Sequence, residues 1–455
     1  MVDHDVIVLG GGPGGHSAAQ RLGQAGLDVL LAEPDGLGGA SWNTGCVPTV
    51  SLWHGAKAYR LAGQARDQGI NGHQPSFDWS TLQARKDQAV RTLASGVAAT
   101  LKRFAVEVVP EAGQLVAPGV VEVGGRRRTA RHVIVAPGAV PVRPPLDGVA
   151  DNPHIVDPAA LLRAPRPPAR LAVIGGGLIG LELAGLFAAL EVEVTVLETL
   201  AEVAPFMDQS LAKQLRQAMR PVRFKLNSRL RQIDQGTIHY TTADGRPESL
   251  TADLILLDLG RQPRFEGWGA ERSGLDITPG GVVVDDGLRT NLPGVWAVGD
   301  VTGRSLFAHS AKRMGEVAAA LITDPGLARR GELMRWDAIP YILHGLPEAA
   351  GVGWTEQDCR REGREVVTAT APLVLSSRFV IEQGLSAGGA VKVVAERDSR
   401  IIRGVHLFGP QAGELVWGLV ALLELEATTT DVGQLVFPQP TLSEGIREAC
   451  RAIRD

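Results

Sequence analysis

The sequence predicts an α/β chain with two Rossmann-like dinucleotide-binding domains. Three observations lead there. A β-branched strand, a glycine cluster and a helix run together near the N-terminus. The same succession returns in the second third of the chain. At 455 residues the chain is too long for one ordinary core, so several domains are expected.

The first unit is "DVIVLGGGPGGHSAAQRLGQAGLDVLLAEP". Val6 to Leu9 reads as a strand, Ala18, Ala19 and Leu22 recur at helical spacing, and Val29 to Ala32 reads as a second strand. The intervening glycines fit Gly10-x-Gly12-x-x-Gly15. One serves the tight turn, one lets the backbone approach a diphosphate, and one lets the helix pack on the strand. Glu33 ends the second strand, 18 residues beyond Gly15, where a carboxylate accepts hydrogen bonds from ribose hydroxyls while the helix N-terminus faces the diphosphate.

The second unit is "LAVIGGGLIGLELAGLFAALEVEVTVLETL", with Gly175-x-Gly177-x-x-Gly180 and Glu198 again 18 residues on. One such glycine pattern is weak evidence. Two, each with strand, helix and terminal acid, point to a pair of dinucleotide sites. Glu198 would repel a 2′-phosphate, which favours NAD(H) over NADP(H). A surface glutamate that merely ends a strand is the other reading.

Between the units, "HVIVAPGAVPVRP" is a strand, a turn at Gly138 and a proline-broken link, and "ADLILLDLGRQPR" has the same shape after the second unit. These paired crossings suggest one nucleotide domain inserted within another. The expected segments are 1–145 and 265–332 for the outer domain, 146–264 for the inserted one and 333–455 for the last. In "GVWAVGDVTGRSLFAHSAKRMGEVAAA" a strand ends at Gly299-Asp300 ahead of a helix. Asp300 there is placed to hold the ribityl hydroxyls of a flavin, or simply to cap the helix.

Bulk properties exclude several classes. A net charge of −4 gives no electrostatic reason to expect nucleic acid or an anionic membrane as partner. The run Arg126-Arg127-Arg128 follows Gly124-Gly125 and reads as a solvated hairpin tip. Cys46, Cys359 and Cys450 are too far apart for a CxxC metal site or a secreted disulfide framework, so no metal and a reducing, cytoplasmic setting are expected. No run of eighteen apolar residues suggests a membrane span, and the N-terminus lacks a basic and apolar leader.

On these motifs, together with "GGASWNTGCVPT", "GGGLIGLELA", "DAIPYILHGLPEAAGVGWTEQD", "RIIRGVHLFGPQAGELV" and "PTLSEGIREA", the chain resembles the flavoprotein disulfide reductases over almost its whole length, dihydrolipoamide dehydrogenases above all. The resemblance implies FAD on the first unit with Asp300, NAD on the second, and a C-terminal α+β dimerisation domain that makes a homodimer. It further implies that the partner subunit completes each active site.

Departures from the family pattern fall together. The family's pair of cysteines, separated by four residues, is Ser41 and Cys46 here; its lysine is Val50, and its C-terminal histidine is Gln439, although the acid that would orient it, Glu444, remains. A hydroxyl is too weakly acidic to replace a thiolate nucleophile, and a carboxamide does not titrate. Glu182, which by motif position would pair with the lysine, is expected to be protonated or re-paired. Trp42 and Phe437 to Pro440 add bulk, expected either to close a substrate channel or to pack as ordinary core.

The expected activity is FAD-dependent oxidation of NADH with electrons passed to a small-molecule acceptor that is not a disulfide. Two alternatives stand beside it: chemistry on dihydrolipoamide or another lipoyl-type sulfur carrier through Cys46 alone, and a flavin-containing sensor with negligible turnover. Cys46 is either redox-active beside the flavin or an inert buried thiol. Cys359 and Cys450 lie on polar helical stretches and receive no role.

Overall fold

The computed structural model describes residues 2–72, 74–330 and 333–453; residue 332, the expected end of the third segment, lies outside them. Contacts gather the chain into two units, 1–51 with 81–142 and 260–334, and 52–80 with 143–259 and 335–455.

In the first unit the strand His4–Leu9 lies between Val29–Ala32 and Arg126–Val135, parallel to both. Leu9 pairs with Ala32 on one side and Val135 on the other. Glu107–Val109 continues the sheet beyond Val29–Ala32, and Val295–Ala297 pairs with Arg126–Val135. All four residues of Val29–Ala32 are buried, as a strand covered on both faces requires. The strand order reverses at His4–Leu9, which places the first glycine turn at a switch point, the usual ligand crevice of such sheets. Gly124 and Gly125, both at positive φ, close the hairpin between Val120–Val123 and Arg126–Val135, so the three arginines start a strand at the hairpin tip.

The helix Ala308–Thr323 packs directly on Pro13–Gln24. A Cβ on Gly315 would stand 2.1 Å from the Gly14 carbonyl oxygen, so only glycine permits this approach. That packing brings the turn of Gly299 and Asp300 to the first glycine cluster. The strand before it ends at Ala297, and Gly299–Thr302 is a short 3₁₀ turn rather than strand.

In the second unit a parallel sheet runs in the order Val222–Lys225, Glu193–Leu197, Arg170–Ile174, Leu254–Leu257, Ile155–Val156. A three-stranded antiparallel sheet, Arg229–Asp234, Thr237–Thr241 and Pro247–Thr251, interrupts it. Residues 341–409 form a five-stranded antiparallel sheet ordered Tyr341–Leu343, Glu348–Gly353, Ile402–Gly409, Ala390–Glu396, Val366–Pro372. Helices Ala412–Glu424 and Glu444–Ala452 cover it, burying Val416, Leu419, Leu423 and Ala449 against Val391, Val393, Val405 and Leu407. The architecture is therefore two Rossmann-like sheets and a C-terminal α+β domain.

Lys392 of this sheet is buried, yet its Nζ donates to Asp208 Oδ1 at 2.9 Å and to Glu356 Oε2 at 2.5 Å. Two carboxylates around one ammonium compensate its desolvation. Among the described residues, no helix is long and apolar enough to cross a membrane, and no group of three or more His, Cys, Asp or Glu side chains is arranged to hold a metal ion.

Candidate active site

The first turn is held open by its own backbone. Gly10 has φ +105, and a Cβ there would lie 2.3 Å from the Ala136 carbonyl oxygen, at the end of the neighbouring strand. Gly12 precedes the helix Pro13–Gln24 with no side-chain cap, and no side chain accepts from Gly15 among the described residues. The helix N-terminus thus presents unsatisfied N–H groups, the arrangement that binds a diphosphate. Glu33 is buried rather than a surface acid: its Oε2 accepts from Gly11 N at 2.6 Å and its Oε1 from Asp35 N at 2.7 Å. Gly138, at φ +79, sits in the link after Arg126–Val135, and its carbonyl accepts from Arg264 N at 3.0 Å.

Asp300 is half-buried and caps no helix. Burial raises its carboxyl above the ordinary range, with the Arg261 charge pulling the other way. A polar acceptor in that position beside the first turn suits a hydroxyl-bearing ligand. Gly10, Gly12, Gly15 and Glu33 thus lie at the first turn, the 3₁₀ turn of Gly299 and Asp300 packs against its helix, and these are residues that could hold FAD.

The second turn repeats the plan. Gly175 has φ +110, and a Cβ there would meet the Asp258 carbonyl oxygen at 2.1 Å. Gly177 precedes the helix Leu178–Ala189. Glu198 is buried, its Oε2 accepting from Gly176 N at 2.6 Å and its Oε1 from Leu200 N at 2.8 Å. One residue departs from the plan: Asp258, just past the strand Leu254–Leu257, accepts at Oδ2 from Gly180 N at 2.6 Å. Sequence reasoning missed it, although the acid directly after "ADLILL" was visible.

Glu182 lies on the same helix, buried, and its Oε1 accepts from the backbone N–H of His344 at 2.7 Å. Among the described residues no lysine or arginine pairs with it. Burial pushes its carboxyl up to about 8, opposed by the His344 N–H and reinforced by the negative charge of Asp258. The re-pairing is thus with a backbone amide 162 positions away, which no local pattern announces.

Cys46 opens the helix Cys46–Gly63 and is exposed, not buried. The short helix Gly39–Asn43 carries Ser41, and Gly45 lies against the backbone of Ala40 and Ser41, so residues 41 and 46 flank one tight turn. Trp42 stacks obliquely on His16 at 5.5 Å between centroids and is only partly buried. Val50 is exposed. Cys359 and Cys450 are both buried, contrary to their polar sequence surroundings, and burial pushes the Cys450 thiol up to about 12.

Gln439 is exposed and precedes the cis Pro440. Glu444 is buried and turned to local work: its Oε2 accepts from Thr441 N at 3.1 Å, and Arg447 stands 4.0 Å from Oε1. No hydrogen bond joins Gln439 to Glu444 among the described residues.

Comparison with known proteins agrees with this architecture. Residues 4–315 match the family described as pyridine nucleotide-disulphide oxidoreductase, and residues 339–450 match the dimerisation domain of that family. The chain is 36% identical to a dihydrolipoyl dehydrogenase of Thermus scotoductus, the alignment covering 100% of this chain and 98% of the relative. It is 34% identical to dihydrolipoyl dehydrogenase 3 of Pseudomonas aeruginosa, with 99% and 97% covered. Among solved structures, LpdA of Mycobacterium tuberculosis superposes with a TM-score of 0.87 at 25% identity, over 99% of this chain and 100% of that one. The chain belongs to the pyridine nucleotide-disulphide oxidoreductase family, FAD flavoproteins that work with NAD(H), and is dihydrolipoyl dehydrogenase-like from end to end.

Proposed function

We propose that this protein is an FAD-dependent NADH oxidoreductase whose reduced flavin passes its electrons to a small-molecule acceptor other than a bound disulfide, such as a quinone, dioxygen, a peroxide or another nucleotide. The observation that carries this reading is the turn of residues 41–46, with Ser41 on one side and an exposed Cys46 on the other. A serine hydroxyl there cannot form a disulfide or supply a thiolate.

FAD, held at Gly10, Gly12, Gly15, Glu33, Gly138, Gly299 and Asp300, supplies the two-electron acceptor. Gly175, Gly177, Gly180 and Glu198 orient the nicotinamide nucleotide. The buried Glu198 carboxylate disfavours a 2′-phosphate, which supports NAD(H). Gln439 donates and accepts hydrogen bonds without titrating, so the proton exchange a dithiol substrate needs has no group at that position. Glu444 already satisfies the Thr441 amide and is not poised to orient a base. Glu182 keeps a proton near neutral pH instead of balancing a lysine.

The segments expected for the outer domain, 1–145 and 265–332, are assigned to FAD, 146–264 to NAD(H) and 333–455 to dimerisation. A homodimer is supported by the matched dimerisation domain and by Trp417, Leu425 and Val436, which stay 74%, 79% and 97% exposed on one chain. The cysteine usage supports a cytoplasmic setting.

One observation favours a second reading. Exposed Cys46 stands at the positive end of its helix, where its thiolate could attack the disulfide of an oxidised lipoyl-type carrier, breaking the S–S bond to form a mixed disulfide and freeing the carrier's second thiol. Anaerobic titration with NADH, then addition of oxidised lipoamide, separates the two. Bleaching of the flavin without recovery supports the first reading; recovery that alkylation of Cys46 abolishes supports the second and rejects the first. Failure of NADH to bleach the flavin rejects both.

A further inference from the structure

The two glycine turns provide an internal comparison. In the first, Leu9 pairs with Val135 and the next residue, Ala136, places its carbonyl oxygen against Gly10. In the second, Ile174 pairs with Leu257 and the next residue, Asp258, places its carbonyl oxygen against Gly175. Ala136 and Asp258 therefore occupy the same position of the same fold. One carries a methyl group, the other a carboxylate.

The consequence appears at the remaining glycines. A Cβ built on Gly12 would meet nothing nearer than the Gly39 Cα at 3.9 Å, and the three atoms nearest one on Gly15 belong to Gly10 and Val8. In the second turn, a Cβ on Gly177 would stand 3.4 Å from Asp258 Oδ2 and one on Gly180 2.9 Å from it. The same oxygen accepts from Gly180 N at 2.6 Å. The N–H of the third glycine, which no side chain is seen to accept from in the first turn, is taken in the second by an acid belonging to the chain.

We infer that Asp258 is an intramolecular competitor for the nucleotide diphosphate and sets the affinity of the second dinucleotide site. Two anions cannot share one helix N-terminus without repulsion, so a diphosphate seats only when the Asp258 side chain turns away from Gly180. The ligand's phosphate oxygens then replace the carboxylate on Gly180 N, and the lost hydrogen bond is charged against binding. Adenosine, which carries no phosphate, is spared this competition. The inference rests on the reading that the second turn receives a pyridine nucleotide.

The test is isothermal titration of the FAD-loaded protein with ADP-ribose and, separately, with adenosine, using wild type, Asp258→Ala and Asp258→Asn. Retained flavin absorbance in each variant reports that the fold is intact. Asp258→Ala is expected to bind ADP-ribose about tenfold tighter or more, the equivalent of one charge-assisted hydrogen bond. Asp258→Asn, which removes the charge and keeps the shape, is expected between the two, with adenosine affinity unchanged throughout. Equal ADP-ribose affinity in all three proteins overturns the inference and leaves the nucleotide reading standing. An equal gain for adenosine also overturns it, because the diphosphate is then not what Asp258 opposes. Absence of ADP-ribose binding in every protein overturns the inference and the nucleotide reading together.

Discussion

Replacing Glu182 by glutamine should make the protein more stable at neutral pH and leave it unchanged in acid. The carboxyl titrates at 4.5 in an ordinary setting and at about 8 in the fold, because it is buried beside Asp258 with one N–H donor. A folded-state value above the unfolded one means that the folded chain holds a proton the unfolded chain has released between about pH 4.5 and about pH 8. Stability is therefore greatest below that window, falls by about 1.4 kcal/mol per pH unit through it, and levels off above. At pH 7 the cost is about 3 kcal/mol, and across the whole window roughly 5 kcal/mol as an upper bound. Glutamine keeps an Oε1 acceptor for the His344 N–H, fills the same volume and titrates nothing. Urea midpoints of FAD-loaded wild type and Glu182→Gln, taken from pH 5 to pH 8.5, measure the difference directly. The two curves should meet near pH 5 and separate steadily toward pH 8. Parallel curves would refute the burial argument, since a carboxyl with its ordinary affinity for protons contributes no slope in this range.

Asp258→Ala should lower the pH at which Glu182 titrates, because its charge is one of the causes that hold the proton there; the carboxyl infrared band lost in Glu182→Gln reports the midpoint, and an unmoved midpoint would place Asp258 out of electrostatic reach. Gly10→Ala should yield protein without flavin, since φ +105 and a 2.3 Å approach to the Ala136 carbonyl leave no room for a methyl group; an unchanged flavin content after purification would contradict that geometry. Lys392→Met should cost roughly 3–5 kcal/mol, as it strands Asp208 beside Glu356 without their shared cation, and a loss under about 1 kcal/mol by urea denaturation would mean that the carboxylates find other partners. In the native protein a thiol reagent should modify one cysteine per chain and none in Cys46→Ser, because Cys359 and Cys450 are each 1% exposed; two or three modified thiols would show that the C-terminal helices open readily.

How far the chain could be read depended on how local each feature is. Both glycine turns, their helices and their terminal glutamates lie within single βαβ units, so spacing along the chain is spacing in the fold. The departures at Ser41, Val50 and Gln439 were equally plain, because a missing thiol, ammonium or imidazole is a property of the residue itself. The sequence alone thus determined the two nucleotide units, and the C-terminal α+β domain followed from the family resemblance. Exposure was less legible: Cys359 and Cys450 sit among polar neighbours yet face the interior, since burial is set by which side of a helix meets the sheet.

Tertiary structure decided the partners. Asp258 reaches Gly180, 78 positions away, only because Leu257 pairs with Ile174 in the parallel sheet. His344 reaches Glu182, 162 positions away, because the edge strand Tyr341–Leu343 lies beside the helix Leu178–Ala189. Strand register and packing of elements set these contacts, and pairings across such distances leave no periodic trace along the chain. The sequence therefore named Glu182 and Glu198 but not Asp258, and the fold alone set which backbone amide each one occupies and that Glu182 keeps its proton.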